Sequence, residues 1–233
     1  MKQGALAAGA GAGALLLLLG SKAFASSTDE TPPARPRRVK GWRAIVPFTQ
    51  ISVPITHKGK TLRRIQISEP IDTLVAMASK AMDHPVSENA FLLGTLLASE
   101  AENQPDMAKV AIAFAALTQA KHLGVTLRTL LAPKALGGKL GGQLGGYAST
   151  ARPPTRHDVE IGEGVLTGKY VNPTPGAIQW DSPRAQDKLL ERGAPGYRMN
   201  ADQLARMRQG EGKIPLYVAD ISPSELRLWR PAT

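Results

Sequence analysis

The stretch from Ser87 to Gly124 constrains this chain more than any other part of it. Ser87 is a good N-cap for a helix that runs through Phe91, Leu92, Leu96 and Leu97 to about Ala101. Pro105 opens a second helix at its first turn, Val110, Phe114 and Leu117 mark its buried stripe, and Gly124 stops it. Ala108, Ala111, Ala113, Ala115 and Ala116 keep that helix slim, which suits close packing on several sides and makes it the expected central core helix. Ahead of both, Asp72 to Met82 places Leu74, Val75, Ala78 and Met82 on one stripe of a further helix. The chain contains no cysteine, so no disulfide, thiolate metal site or cysteine nucleophile is available and packing alone must hold the fold.

Around this helical block the sequence reads as α+β, mainly α. Residues 42–70 carry two β-branched, roughly alternating runs separated by His57-Lys58-Gly59-Lys60, the pattern of a hairpin or small sheet. Pro47 and Pro54 confine the first run to an edge or split it. Thr155 to Gly168 reads as a helix with Val159, Val165 and Leu166 apolar, and Ala177 to Trp180 as a short strand. A C-terminal α+β extension over 184–233 follows the helical domain of 71–183. Its pattern gives short charged helices at Pro183 to Arg192 and Asn200 to Arg208, then strand-like pieces at Ile214 to Ile221 and Leu226 to Trp229.

The N-terminus addresses location. Met1-Lys2-Gln3 precedes an uncharged run from Gly4 to Gly20, and Ala23-Phe24-Ala25 is a small-x-small site. This anatomy predicts a signal peptide over 1–25, with an uncleaved membrane anchor over 4–20 as the rival reading. Residues 26–41 form a Pro-rich linker that ends basic. Lys2 and Lys22 are the only charged residues of the first 25, so most of the net charge of +10 belongs to the part that would be exported. Nucleic acid, an anionic membrane and an anionic wall polymer all suit such a charge. Export and the sparse aromatics of the basic stretch argue against nucleic acid as a partner.

The chemistry-bearing residues are few. His57, His84, His122 and His157 show no ligand spacing, so no metal site is expected, and no G-x-S-x-G elbow supports a serine triad. His157-Asp158 reads as a solvated helix pair. The glycine repeat GGKL-GGQL-GGYA, from Gly137 to Ala148, is a flexible insertion or a backbone-lined groove. It is not a phosphate loop, because Leu140 follows Gly138-Lys139 where Ser or Thr must hold magnesium. Glu100 stands apart at the C-terminal end of an otherwise apolar helix. There the helix dipole and apolar neighbours both disfavour its ionised form and raise its pKa. A carboxylic acid still protonated near neutral pH is what glycosidic cleavage needs to protonate the leaving oxygen. Glu at an exposed helix end is the plain alternative.

The segment SEAENQPDMAKVAIAFAALTQA, Ser99 to Ala120, resembles the core of the cell wall hydrolase family of the spore-cortex-lytic (SleB-like) type. Ser99-Glu100-Ala101, Pro105 and Val110-Ala111-Ile112-Ala113 follow its A-E-A-x-G-E-P and Ala/Val-rich helix pattern. Val165 to Gly168, Pro173 to Ala177 and Tyr147-Ala148-Ser149 resemble later segments of the family, and Leu226 to Arg230 its closing aromatic-Arg strand. Asn103, Gln104 and Thr118-Gln119 depart from it, and Gln104 stands where the family has a second Glu. The resemblance implies a lysozyme-like, lytic-transglycosylase-like domain that cuts the glycan of peptidoglycan without a cofactor. Glu100 would be the catalytic acid and then base, leaving a 1,6-anhydro end. Gln143, Tyr147, Ser149 and Thr150, with Trp180, would be sugar contacts, although Trp180 on its own reads as a core residue. The other reading of the chain is a catalytically inactive, membrane-anchored structural or adaptor protein of an envelope or virion assembly.

Overall fold

The computed structural model describes residues 43–57, 60–67, 69–131, 152–191 and 212–232. The signal-like start, the linker, the glycine repeat and the expected helix at 200–208 lie outside the described residues. What is described is mainly helical with two small antiparallel sheets, as α+β, mainly α, implies. Strands β1 (Gln50–His57) and β2 (Lys60–Ile67) form the expected hairpin, with Gln50 opposite Ile67 and His57 opposite Lys60. The run breaks at Pro47, whereas Pro54 is carried inside β1, tolerable because a two-stranded ribbon has only edge strands.

Helix α1 (Ile71–Met82) buries Ile71, Leu74, Ala78 and Met82. Ser87 caps α2 (Glu88–Glu100), its hydroxyl accepting from the Ala90 N–H at 3.2 Å. Pro105 caps α3 (Asp106–Leu123), which ends on Gly124 at φ +62°, the left-handed conformation that glycine adopts freely. A short α4 (Leu127–Leu131) follows. The expected order of enclosure is corrected here. Every residue of α2 from Ala90 to Ala98 is buried, so α2 is the helix surrounded on all sides. In α3, Val110 and Ile112 are buried with the alanines, whereas Phe114 and Leu117 are only half-buried at the edge of the core.

Helix α5 (Arg156–Leu166) packs directly on α2. Val159 and Val165 are buried as expected, but Leu166, at the helix end, is exposed. The two helices approach so closely that a Cβ at Gly162 would lie 2.8 Å from the Ala90 carbonyl oxygen, and one at Gly94 2.9 Å from Val159 Cγ2. Glycine is required at both positions by space, not by backbone conformation. Thr155 caps α5 through a full capping box with Asp158. That aspartate is not the solvated residue expected from sequence. It is 1% exposed, and its Oδ1 accepts from Lys109 Nζ at 2.6 Å, with Lys109 2% exposed. Its Oδ2 accepts from the Thr155 N–H at 3.1 Å. His157, by contrast, is exposed and meets Asp106 at 2.8 Å.

The C-terminal residues complete the helical unit. Strand β3 (Gln179–Asp181) leads into α6 (Pro183–Glu191), and β4 (Lys213–Leu216) and β5 (Arg227–Pro231) return to it in the order β3-β5-β4. Val218, Leu226 and Leu228 lie in the same hydrophobic cluster as α2 and α3. No described helix is long and apolar enough to cross a membrane.

Removing one member of a buried ion pair strands the other charge. Lys109→Met is expected to destabilise the fold by about 3–5 kcal/mol, read as a lower urea midpoint. Adding Asp158→Asn, which removes the stranded charge and keeps an acceptor for Thr155, is expected to recover part of that loss.

Candidate active site

Glu100 is the last residue of α2. The helix stops there because Ala101 leaves helical geometry at φ −135°, and the Gln104 N–H closes a turn onto the Ala101 carbonyl at 3.0 Å. Pro105, which has no N–H to continue a ladder, then starts α3. The acid thus ends one core helix, and the turn Ala101 to Gln104 separates it from the start of the next. Its side chain opens partly to a cleft of about 470 Å³, while Oε2 is enclosed and has no hydrogen-bond partner. Burial pushes its carboxyl up to about 8, from an ordinary 4.5. Withdrawal from water is the cause, which is the effect of enclosed surroundings expected from the sequence.

The rest of the cleft comes from distant parts of the chain. Ser99 and Gln104 flank the acid, Ile112 enters from α3, and Trp180 and Asp181 come from β3. Trp180 is 1% exposed, so it is the core residue its apolar setting suggests, and it also lines the cleft. Asp181 is saturated with donors. It accepts from Arg227 Nε at 3.2 Å and Nη2 at 2.7 Å, and from Trp229 Nε1 at 3.1 Å. The Arg227 guanidinium lies 4.4 Å from the centre of the Trp229 ring, so the cluster clamps β3 to β5. The Arg152 N–H donates to Ser99 Oγ at 3.0 Å, and its guanidinium pairs with Glu102. Arg184 and Lys188 reach the cleft from α6, Arg184 paired with Glu225.

Of the residues singled out from sequence, the cleft brings together Glu100 and Trp180. Gln143, Tyr147, Ser149 and Thr150 lie outside the described residues. Sequence reasoning misses Arg152, Asp181, Arg184 and Lys188: the first three have partners tens of residues away, and Lys188 lies on a charged helix that has no local mark of a site. Asn103 and Gln104, two of the departures from the resembled pattern, both line the cleft with Glu100, while Gln119, another departure, has its Oε1 enclosed without a partner. Among the described residues no three His, Asp or Glu side chains are grouped to hold a metal ion. Comparison of the chain with protein-family profiles, curated proteins and solved structures gives no match.

A cleft-side acid that is neutral near pH 7 can donate a proton there and then accept one. The same shift affects folding. Between pH 4.5 and about 8 the folded chain keeps a proton on Glu100 that the unfolded chain has released. Stability therefore falls as pH rises through this window, by at most about 1.4 kcal/mol per unit. Urea midpoints at pH 5 and pH 8 are expected to show that slope in the wild type, and Glu100→Gln is expected to lose it.

Proposed function

We propose that this chain is a peptidoglycan hydrolase that cleaves the glycan strand as a lytic transglycosylase, with Glu100 as its general acid and then base. The observation that carries the reading is a protonated carboxylic acid, held at the end of a buried helix and opening on a cleft. The helical packing around it is compatible with a lysozyme-like domain, and the Ser99 to Ala120 resemblance supplies the reaction class.

In this reaction Glu100 protonates the glycosidic oxygen as the C1–O bond breaks and positive charge grows at C1. The carboxylate left behind takes the proton of the C6 hydroxyl on the same sugar as that oxygen bonds to C1. A 1,6-anhydro end forms, no water is consumed, and Glu100 is returned in its protonated form. A single acid suffices, so Gln104 in place of a second Glu does not stop the cycle. The basic character of the chain suits attraction to an anionic wall, and the first 25 residues support export, as a cleaved signal or as an anchor over 4–20.

Glu100→Gln is expected to lower release of fragments from purified cell walls by about 100- to 10,000-fold while the chain stays folded. Wild-type activity is expected to fall about tenfold per unit above pH 8 or so, as the acid loses its proton. Mass analysis of the released fragments is expected to show anhydro ends. Equal release by wild type and Glu100→Gln removes Glu100 from the reaction.

A further inference from the structure

The charges lining the cleft are unevenly matched. Of its carboxylates, Glu102 is paired by Arg152, Glu225 by Arg184, and Asp181 by Arg227. Glu100 is neutral at pH 7. Lys188 also lines the cleft, its side chain is exposed, and among the described residues no carboxylate pairs with it. Arg184 and Lys188 stand four residues apart on α6, which sets both cations on one face of that helix, the face turned to the cleft. The Arg184–Glu225 and Arg152–Glu102 pairs are about half-exposed to solvent, so each cation keeps a solvent-facing side that can share a second anion.

We propose that Lys188 and Arg184, with Arg152, form an anion subsite of the Glu100 cleft that takes a carboxylate carried by the glycan strand. The inference rests on the glycan-cleaving reading above and narrows its substrate. The cleft should prefer strands that bear carboxylates, on lactyl ethers or peptide stems, over neutral amino-sugar polymers. Such a contact lies apart from the bond being broken, so it acts in binding and register, not in the chemical step. Lys188 is a specificity residue in this sense.

The test uses the full chain carrying Glu100→Gln, which prevents turnover, and walls stripped of phosphodiester polymers. One batch keeps its carboxyl groups and the other has them amidated by carbodiimide coupling. Sedimentation is expected to show half-saturation at about five-fold more wall, or higher, after amidation. Lys188→Glu on native walls is expected to give a loss of the same size, and Lys188→Gln a smaller one. Lys80→Glu makes the same charge change at an exposed position of α1 away from the cleft and is expected to change nothing. In the active chain, Lys188→Glu is expected to raise KM and leave kcat unaltered, with the melting temperature reporting that the variant is folded.

An amidase hydrolyses the amide that joins each stem to its lactyl ether, so the stems leave and the freed lactyl carboxylates are the ones the strand then carries. Undiminished binding to walls treated in this way assigns the anion to the lactyl ether, and lost binding assigns it to the peptide stem. Equal losses from Lys188→Glu and Lys80→Glu, or equal binding of native and amidated walls, overturn the subsite and leave the Glu100 reading standing. Equal wall release by the wild type and Glu100→Gln overturns that reading, and the subsite with it.

Discussion

The buried ion pair between Lys109 and Asp158 is the contact on which the placement of the site depends. It ties the first turn of α3 to the first turn of α5, and Asp158 also closes the capping box that starts α5. The exposed His157–Asp106 contact joins the same two helix starts. Because the turn that follows Glu100 leads straight into α3, fixing that helix start fixes where the turn sits. Two charges withdrawn from water are a costly way to join helices, and apolar contact alone is often as stable. What the pair adds is direction: the 2.6 Å contact of an ammonium with a carboxylate joins α3 to α5 at one defined point.

Small residues supply the complementary constraint. Gly94 and Gly162 bring α2 and α5 closer than any side chain at those positions permits, and the alanines of α3 close the other side. Helix α2 is enclosed as a result, and its last residue meets the cleft from an apolar interior. That enclosure raises the acid's pKa. An identical Glu at the end of a solvated helix would ionise normally, since water screens the dipole and no apolar wall opposes the charge. The second wall of the cleft has a different origin. Asp181, held by Arg227 and Trp229, fixes β3 against β5, and so sets Trp180 and the start of α6 beside the acid.

Much of the helical order was legible in the sequence because its signals are local. Ser87, Pro105, Gly124 and Thr155 act within one helical turn of the boundaries they mark, and the structure places all four at caps. Glu100 was legible for the same reason: an acid ending an apolar helix is visible in ten residues. Burial was less legible. Asp158 looked like one of a solvated pair because its partner, Lys109, stands 49 residues away, and Leu166 looked like part of an apolar stripe although the helix ends there.

The sequence by itself determined the longer helices of the core, the absence of any cysteine chemistry, and an acid poised at the end of an apolar helix. Capping, turn chemistry and apolar periodicity depend on neighbours within a few residues, so one-dimensional order suffices to express them. The tertiary structure alone decided that Glu100 is enclosed, that Asp158 is buried, and that Arg152, Arg184 and Lys188 converge on one cleft. Desolvation and charge pairing depend on which distant segments come within a few ångströms of one another. That proximity follows from how α2, α3, α5 and the C-terminal strands pack, not from any residue's place in the chain.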